Sequence, residues 1–453
     1  MANSDTPPAK LPLKQIFKTW WPLAASWMLM GIELPAVSAT MARLADPKIN
    51  LAAYGGVVFP ISLIIEAPII MLLAASTALS KDKPSYQKIY RFMMVTSGFL
   101  TGIHILIAFT PFYYLLVEKV LGVPDVIVEP ARIGLMIMTP WTWSIAYRRL
   151  NQGVLIRFGY SQTVGIGTVI RLTAVALVLI LGLVIGSVEG IVVATCAVIA
   201  GVICEATYSG MVVKPVVKGP LEKAPILEPL LELNTFLKFY VPLAMTSLLF
   251  LLTNPIISAA VSRMPQALDS LAVWPVIGGL IFIFRSPGVA YNEVVVALLD
   301  EPRSSFNLRK FALFLSLATS GFLVFVAITP LSNIWFELIS ALTPRLSLMA
   351  QTGLWLAVLL PAFNTIQSWY QGVLVHGRNT RGITEAVLIY LVVSAVLLSA
   401  GAVWGQITGL YFALAVFTIC MLVQTIWLWF RARPVLKGIY TRDRLDRAIS
   451  EYP

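Results

Sequence analysis

The sequence predicts an all-α membrane protein, with twelve transmembrane helices arranged as two parallel six-helix repeats. Composition is the first reason. Of 453 residues, 58% are hydrophobic and 12% are charged, and mean hydropathy is +0.83. A soluble protein of this length needs far more polar surface, so the solvent is the bilayer. The second reason is patterning: twelve apolar runs reach about 20 residues, the length that spans a hydrocarbon core. The third is repetition. Residues 17–43 read FKTWWPLAASWMLMGIELPAVSATMAR and residues 237–263 read LKFYVPLAMTSLLFLLTNPIISAAVSR. At an offset of 220, Pro22 matches Pro242, Pro35 matches Pro255, Ser38 matches Ser258 and Arg43 matches Arg263.

In chain order the runs fall near 17–42, 51–80, 91–116, 129–147, 163–186 and 189–212. The second set falls near 237–262, 271–299, 309–330, 346–368, 382–402 and 407–430. Backbone polar groups have no partner in lipid, so each run is a helix. The first is too long for a cleavable signal and no cleavage site follows it. Several contain Pro, which a membrane helix absorbs through its neighbours. After the fourth run stands Gln152-Gly153-Val154-Leu155; after the tenth, at an offset of 219, stands Gln371-Gly372-Val373-Leu374. Both are expected in short cytoplasmic loops. Six spans per half insert both copies the same way up, with a substrate path between them. The resulting division is an N-lobe at 1–212, a Pro-rich cytoplasmic linker at 213–235, a C-lobe at 236–431 and a basic cytoplasmic tail at 432–453.

Orientation follows from Lys and Arg. With both termini cytoplasmic, 25 of the 33 basic residues fall on the cytoplasmic side, Lys10, Arg148, Arg149, Arg378 and Arg447 among them, and six on the other. The remaining two, Arg171 and Arg285, lie inside spans. This asymmetry accounts for the net charge of +11 without a nucleic-acid partner. Cys196, Cys204 and Cys420 lie in apolar runs and read as small core residues with no disulfide or metal spacing. Trp20, Trp21, Trp141, Trp143, Trp427 and Trp429 read as interfacial anchors.

These features resemble the multidrug/oligosaccharidyl-lipid/polysaccharide (MOP) exporter superfamily, on the 6+6 layout, the early Pro of spans one and seven, and the Q-G-x-L repeat. FYVPLA and NPIISAAVSR, followed by WPV, are more loosely similar to the progressive ankylosis (ANK) family of anion exporters. The MATE multidrug exporters are the neighbouring group. Their helix 1 often carries an acidic residue for cation coupling, to which Glu33 corresponds. The acidic residues many of them carry in helices 7 and 10 are replaced by Asn254 and Asn364. The resemblance implies a secondary exporter of a small organic anion or drug-like molecule, working by alternating access, in a plasma membrane of bacterial inner-membrane type. The alternative is a flippase for a lipid-linked precursor. Nothing suggests an enzyme: no Walker lysine, hydrolase triad or metal spacing is present. The expected partners are a small-molecule substrate and the lipid bilayer, with no cofactor, with H⁺ or Na⁺ as the coupling ion, and with the chain acting as a monomer.

Ionisable groups at membrane depth are costly and mark function by default. Glu33 stands two residues before Pro35, which frees a nearby carbonyl; Glu205 and Arg171 are expected to pair. These three form the ion-coupling set. The substrate-binding set is Arg285, Glu66, Asn254, Tyr54 and Trp274. Glu66 and Arg285 match at offset 219 and are expected to meet across the lobes. A guanidinium fork there suits carboxylate or phosphate. Partners within a single lobe would instead favour a drug-like cargo. His104 is expected to be a satisfied polar residue, and Glu293 to be solvated at a span end.

Overall fold

The computed structural model describes residues 11–226, 228–377, 379 and 381–451, with side chains to 445. Lys10, Arg378 and the Arg447 side chain lie outside the described residues. Among them, eleven helices are long and apolar enough to cross a membrane. In chain order α1 is Leu13–Met41, α2 Pro47–Leu79, α3 Lys83–Phe109, α5 Ser161–Ile185 and α6 Gly190–Lys218. The second half supplies α7 Leu233–Val261, α8 Ala267–Leu298, α9 Ser304–Ile328, α10 Pro344–His376, α11 Arg381–Trp404 and α12 Gly409–Glu451. The twelfth rod, α4, is two helices in line, Val128–Ile137 and Trp141–Arg157, joined by a turn at residues 138–140.

The two halves repeat down to backbone conformation. Asp46 and Gln266, 220 apart, are both left-handed just before α2 and α8. Gly186 and Gly405, 219 apart, end α5 and α11 with positive φ. Thr110 and Thr329 each bond back to their own helix, at Leu106 O and Phe325 O, before a Pro and a wide π-helical turn, Leu115–Leu121 and Ile334–Ile339. Asn50 accepts the Ile191 amide at the start of α6, and Ser270 the Leu410 amide at the start of α12. Each satisfies an otherwise orphaned helix N–H.

The drop in offset from 220 to 219 has a structural cause. Tyr54–Val58 in α2 is a π-helical turn, whereas α8 is continuous α-helix from Ala267 to Leu298. A π-turn absorbs one extra residue without disturbing its flanks. Pairs before it keep 220; pairs beyond it, such as Pro68 and Pro287, keep 219.

Pro35 and Pro255 each lack the N–H that would serve residues 31 and 251. α1 therefore breaks at Ile32 and α7 at Leu252. The break lets α1 change partners. Ile16, Trp20 and Ala24 on its first half pack with Ala290, Tyr291, Phe311 and Trp369 of the C-lobe. On its second half Met41 meets Gly190 of α6. α7 does the reciprocal: Tyr240 donates to Pro68 O at 2.5 Å, and Phe236 lies 4.8 Å from Phe92.

Several expectations are corrected. QGVL is not a loop in either copy; it lies in the last turns of α4 and α10. A Cβ on Gly153 would stand 2.7 Å from Leu73 O, and one on Gly372 2.6 Å from Val295. The motif is thus the close-packing seam of α4 on α2 and of α10 on α8. Arg148 and Arg149 are not loop residues, since both lie in α4 and Arg148 is 6% exposed. Residues 213–218 of the linker continue α6, and the tail continues α12. Trp20 and Trp141 are buried rather than interfacial, whereas Trp21, Trp143 and Trp429 are exposed. Cys196 and Cys204 face outward; Cys420 is buried.

Candidate functional site

The N-lobe encloses a network of six charged side chains. Arg171 on α5 donates to Glu33 Oε1 at 2.7 Å, at the bend of α1, and stands 3.9 Å from Glu205 Oε2 on α6. Arg148 on α4 donates to that same Glu205 oxygen, and Gln152, one turn on, reaches Glu205 Oε1 at 3.0 Å. Trp141, at the start of the second α4 segment, donates its indole N–H to Glu66 on α2. Arg148, Arg149 and Arg171 all lie within electrostatic reach of Glu66. Three carboxylates therefore meet three guanidiniums. At this depth an unmatched charge costs several kcal/mol, so the equality is what permits burial. Tyr54 stands at the head of the π-turn and is 2% exposed.

The C-lobe keeps the places and drops all but one of the charges, Arg285 standing where the N-lobe has Glu66. At the 219 offset Arg148 becomes Gln367, Glu205 becomes Gln424 and Arg171 becomes Tyr390. Gln367 donates to Met421 O at 3.0 Å and Thr425 Oγ1 at 3.1 Å. Arg285 donates to Asn364 Oδ1 at 3.1 Å, and Asn364 returns a bond to Arg285 O at 3.3 Å. The guanidinium lies 5.2 Å from the centre of the Phe417 ring, and its Nε is buried without a partner.

Of the sequence-derived sites, the structure brings Glu33, Arg171, Glu205, Glu66 and Tyr54 into one lobe. The expected Glu66–Arg285 pair is not made; each residue is held inside its own lobe, by Trp141 and by Asn364. The alternative of partners within a single lobe holds, since α2 packs on α4 and α8 on α10. The Arg171–Glu205 pair exists only as the longer arm of a bridge whose short arm is Glu33. Asn254 donates to Leu251 O at 3.4 Å, the carbonyl that Pro255 leaves unserved. Among the described residues no hydrogen bond or ion pair joins Asn254 or Trp274 to Arg285. His104 is buried with Nε2 at 3.0 Å from Leu135 O and Nδ1 without a partner, so it is satisfied at one ring nitrogen only, and Glu293 is exposed. Arg148, Arg149, Gln152 and Trp141 were not among the expected site residues. Their spacing was the available signal, since Trp141, Arg148 and Gln152 fall at helical intervals of seven and four.

No protein-family model and no curated protein matches the chain. Solved structures do. An inward-facing multidrug resistance MATE family transporter of the MOP superfamily superposes with a TM-score of 0.72 at 14% identity, over 93% of this chain and 99% of that one. An outward-facing conformation of such a transporter gives 0.60 at 14% identity, over 95% and 99%. The lipid II flippase MurJ, inward closed, gives 0.62 at 15% identity, over 93% and 91%. At these identities the likeness is one of fold. The chain is a multi-pass membrane protein with the all-helical, two-repeat architecture of that superfamily.

Proposed function

We propose that the chain is a secondary transporter that exports a small organic anion or drug-like molecule by alternating access between its two lobes. Glu33 would couple that movement to H⁺ or Na⁺. The observation that carries this reading is the position of Glu33. It sits at the one bend that lets α1 join both lobes, and it is tied to Arg171 at 2.7 Å. Loading Glu33 with a proton or a sodium ion weakens its hold on Arg171. Glu205, 3.9 Å from Arg171, is placed to take the guanidinium over. A change of charge at the hinge then becomes a change of α1 geometry.

Between the two cargo classes, the drug-like one moves ahead, because Arg285 has a single-lobe partner. The narrower likeness to the anion exporters of the progressive ankylosis family would make the cargo an anion, with Arg285 as its contact. Asn254, Tyr54 and Trp274 are the other proposed cargo contacts. The proposed setting is a bacterial inner membrane with both termini cytoplasmic, a monomeric chain and no cofactor. Transport of cargo recognised by MATE exporters is supported by the shared fold. The second reading, a lipid-precursor flippase, draws on the MurJ likeness; the balanced N-lobe charges argue against the strongly cationic cavity such a lipid would need.

Glu33→Gln tests this. In vesicles with an imposed pH or Na⁺ gradient, wild type should accumulate members of a panel of dye cations and organic anions. The variant should lose gradient-driven uptake and keep its melting temperature. Equal uptake by both proteins across pH and Na⁺ would remove ion coupling at Glu33. Movement of a fluorescent lipid with no flux of any panel member would favour the flippase.

A further inference from the structure

One repeated residue has no part in the network above. Arg43 and Arg263 close α1 and α7 at equivalent places, and each leaves its own lobe. Arg43 donates to Ile339 O at 2.7 Å and to Leu338 O at 2.5 Å, the last carbonyls of the π-turn between α9 and α10. Arg263 donates to Leu121 O and Val120 O, both at 2.7 Å, and to Lys119 O at 3.3 Å, the last carbonyls of the π-turn between α3 and α4. Each also bonds to its own helix, at Ala39 O and Ala259 O, which holds the side chain extended. Helix-terminal carbonyls lack intrahelical donors and carry the negative end of the dipole, so a guanidinium fork suits them. Gly122 follows one turn, and a Cβ there would come within 3.0 Å of the Arg263 guanidinium carbon.

The surroundings give these contacts a direction. At the same end, Lys48 of α2 and Arg345 of α10 both pair with Asp269 of α8. Nearby, Ser258 donates to Gly56 O, and the Gly55 backbone lies against the Pro275 ring. On the opposite side the packing described above stays within each lobe apart from the first halves of α1 and α7, which cross over. There α2 turns to α4 through Ser76 and Gly153, and α8 turns to α10 through Val295 and Gly372. The superposition is also closer on the inward-facing MATE structure than on the outward-facing one.

We propose that Arg43 and Arg263 are a symmetric pair of latch residues that hold the outer mouth shut, and that the resting state of this chain is open inward. The latch works through backbone carbonyls, so its strength is set by fork geometry rather than by a titrating partner. Both arginines are exposed, so solvent competes for them and the latch is releasable. It rests on the alternating-access reading.

The test is a distance measurement on the full chain in lipid nanodiscs, with Cys196, Cys204 and Cys420 replaced by Ser. Spin labels go on Glu118→Cys and Glu337→Cys, exposed and equivalent on the two π-turns. Wild type should give one short distance. Arg43→Gln with Arg263→Gln should add a longer population that exceeds the short one. Arg43→Lys with Arg263→Lys should give a smaller long population, because an ammonium reaches one carbonyl but cannot fork. An unchanged short distance in the glutamine pair overturns the latch. If that pair cannot be purified, the lysine pair decides, and a distribution identical to wild type overturns it. Absence of flux in wild type, with rims that still widen in the glutamine pair, leaves the latch standing and counts against the transport reading alone.

Discussion

Arg148 shows what burial does to a charge. It is 6% exposed, and its partner Glu205 is 1% exposed. Taking one member of such a pair leaves the other uncompensated, at a cost of about 3–5 kcal/mol, whereas replacing both by apolar groups of similar size is often close to neutral. Arg148→Met should therefore lower the unfolding free energy in micelles by about that amount, and Arg148→Met with Glu205→Leu should recover most of it. If the double variant is no more stable than the single one, the network is not held by this pairing. At this scale the sequence was partly legible. Glu33, Glu66, Arg171 and Glu205 stood out because each interrupts an apolar run. Arg148, Arg149 and Gln152 did not, because RRLNQG lowers local hydropathy until a buried helix reads as a loop. Only their partners on α2 and α6 show otherwise.

Among the elements, α2 carries the least regular geometry, and its irregularity is local. The π-turn Tyr54–Val58 holds one residue more than an α-turn. Deleting Gly56 should convert it to α-helix and leave both flanks in register. Deleting Leu63, five residues beyond the turn, should rotate the remainder of α2 by about 100° and turn Glu66 away from Trp141. The first deletion variant is expected to purify monodisperse with a modest loss of melting temperature. The second is expected to aggregate. Equal behaviour of the two would mean the turn is not the inserted residue. The helices and the repeat were legible from periodicity and matched prolines. The turn was visible only as an unexplained step from 220 to 219, since nothing in YGGVV distinguishes a π-turn from an α-turn. QGVL shows the opposite difficulty, for a Gly beside polar residues suggests a loop until the facing backbone is known.

For the molecule as a whole, matched sequence shows that two units exist but not how they share helices. The first half of α1 packs on the C-lobe and that of α7 on α2 and α3, an exchange that internal symmetry leaves undetermined. It makes α1 and α7 the elements that must flex if the lobes rock. The central claim is that they do rock. It is tested most directly by measuring two inter-lobe distances in one reconstituted preparation: Glu118 to Glu337 at one rim, and Lys81 to Asp300, also exposed and equivalent, at the other. Under an imposed ion gradient the account predicts that the first distance lengthens as the second shortens. Two distances that lengthen together, or that both stay fixed while cargo moves, would contradict it.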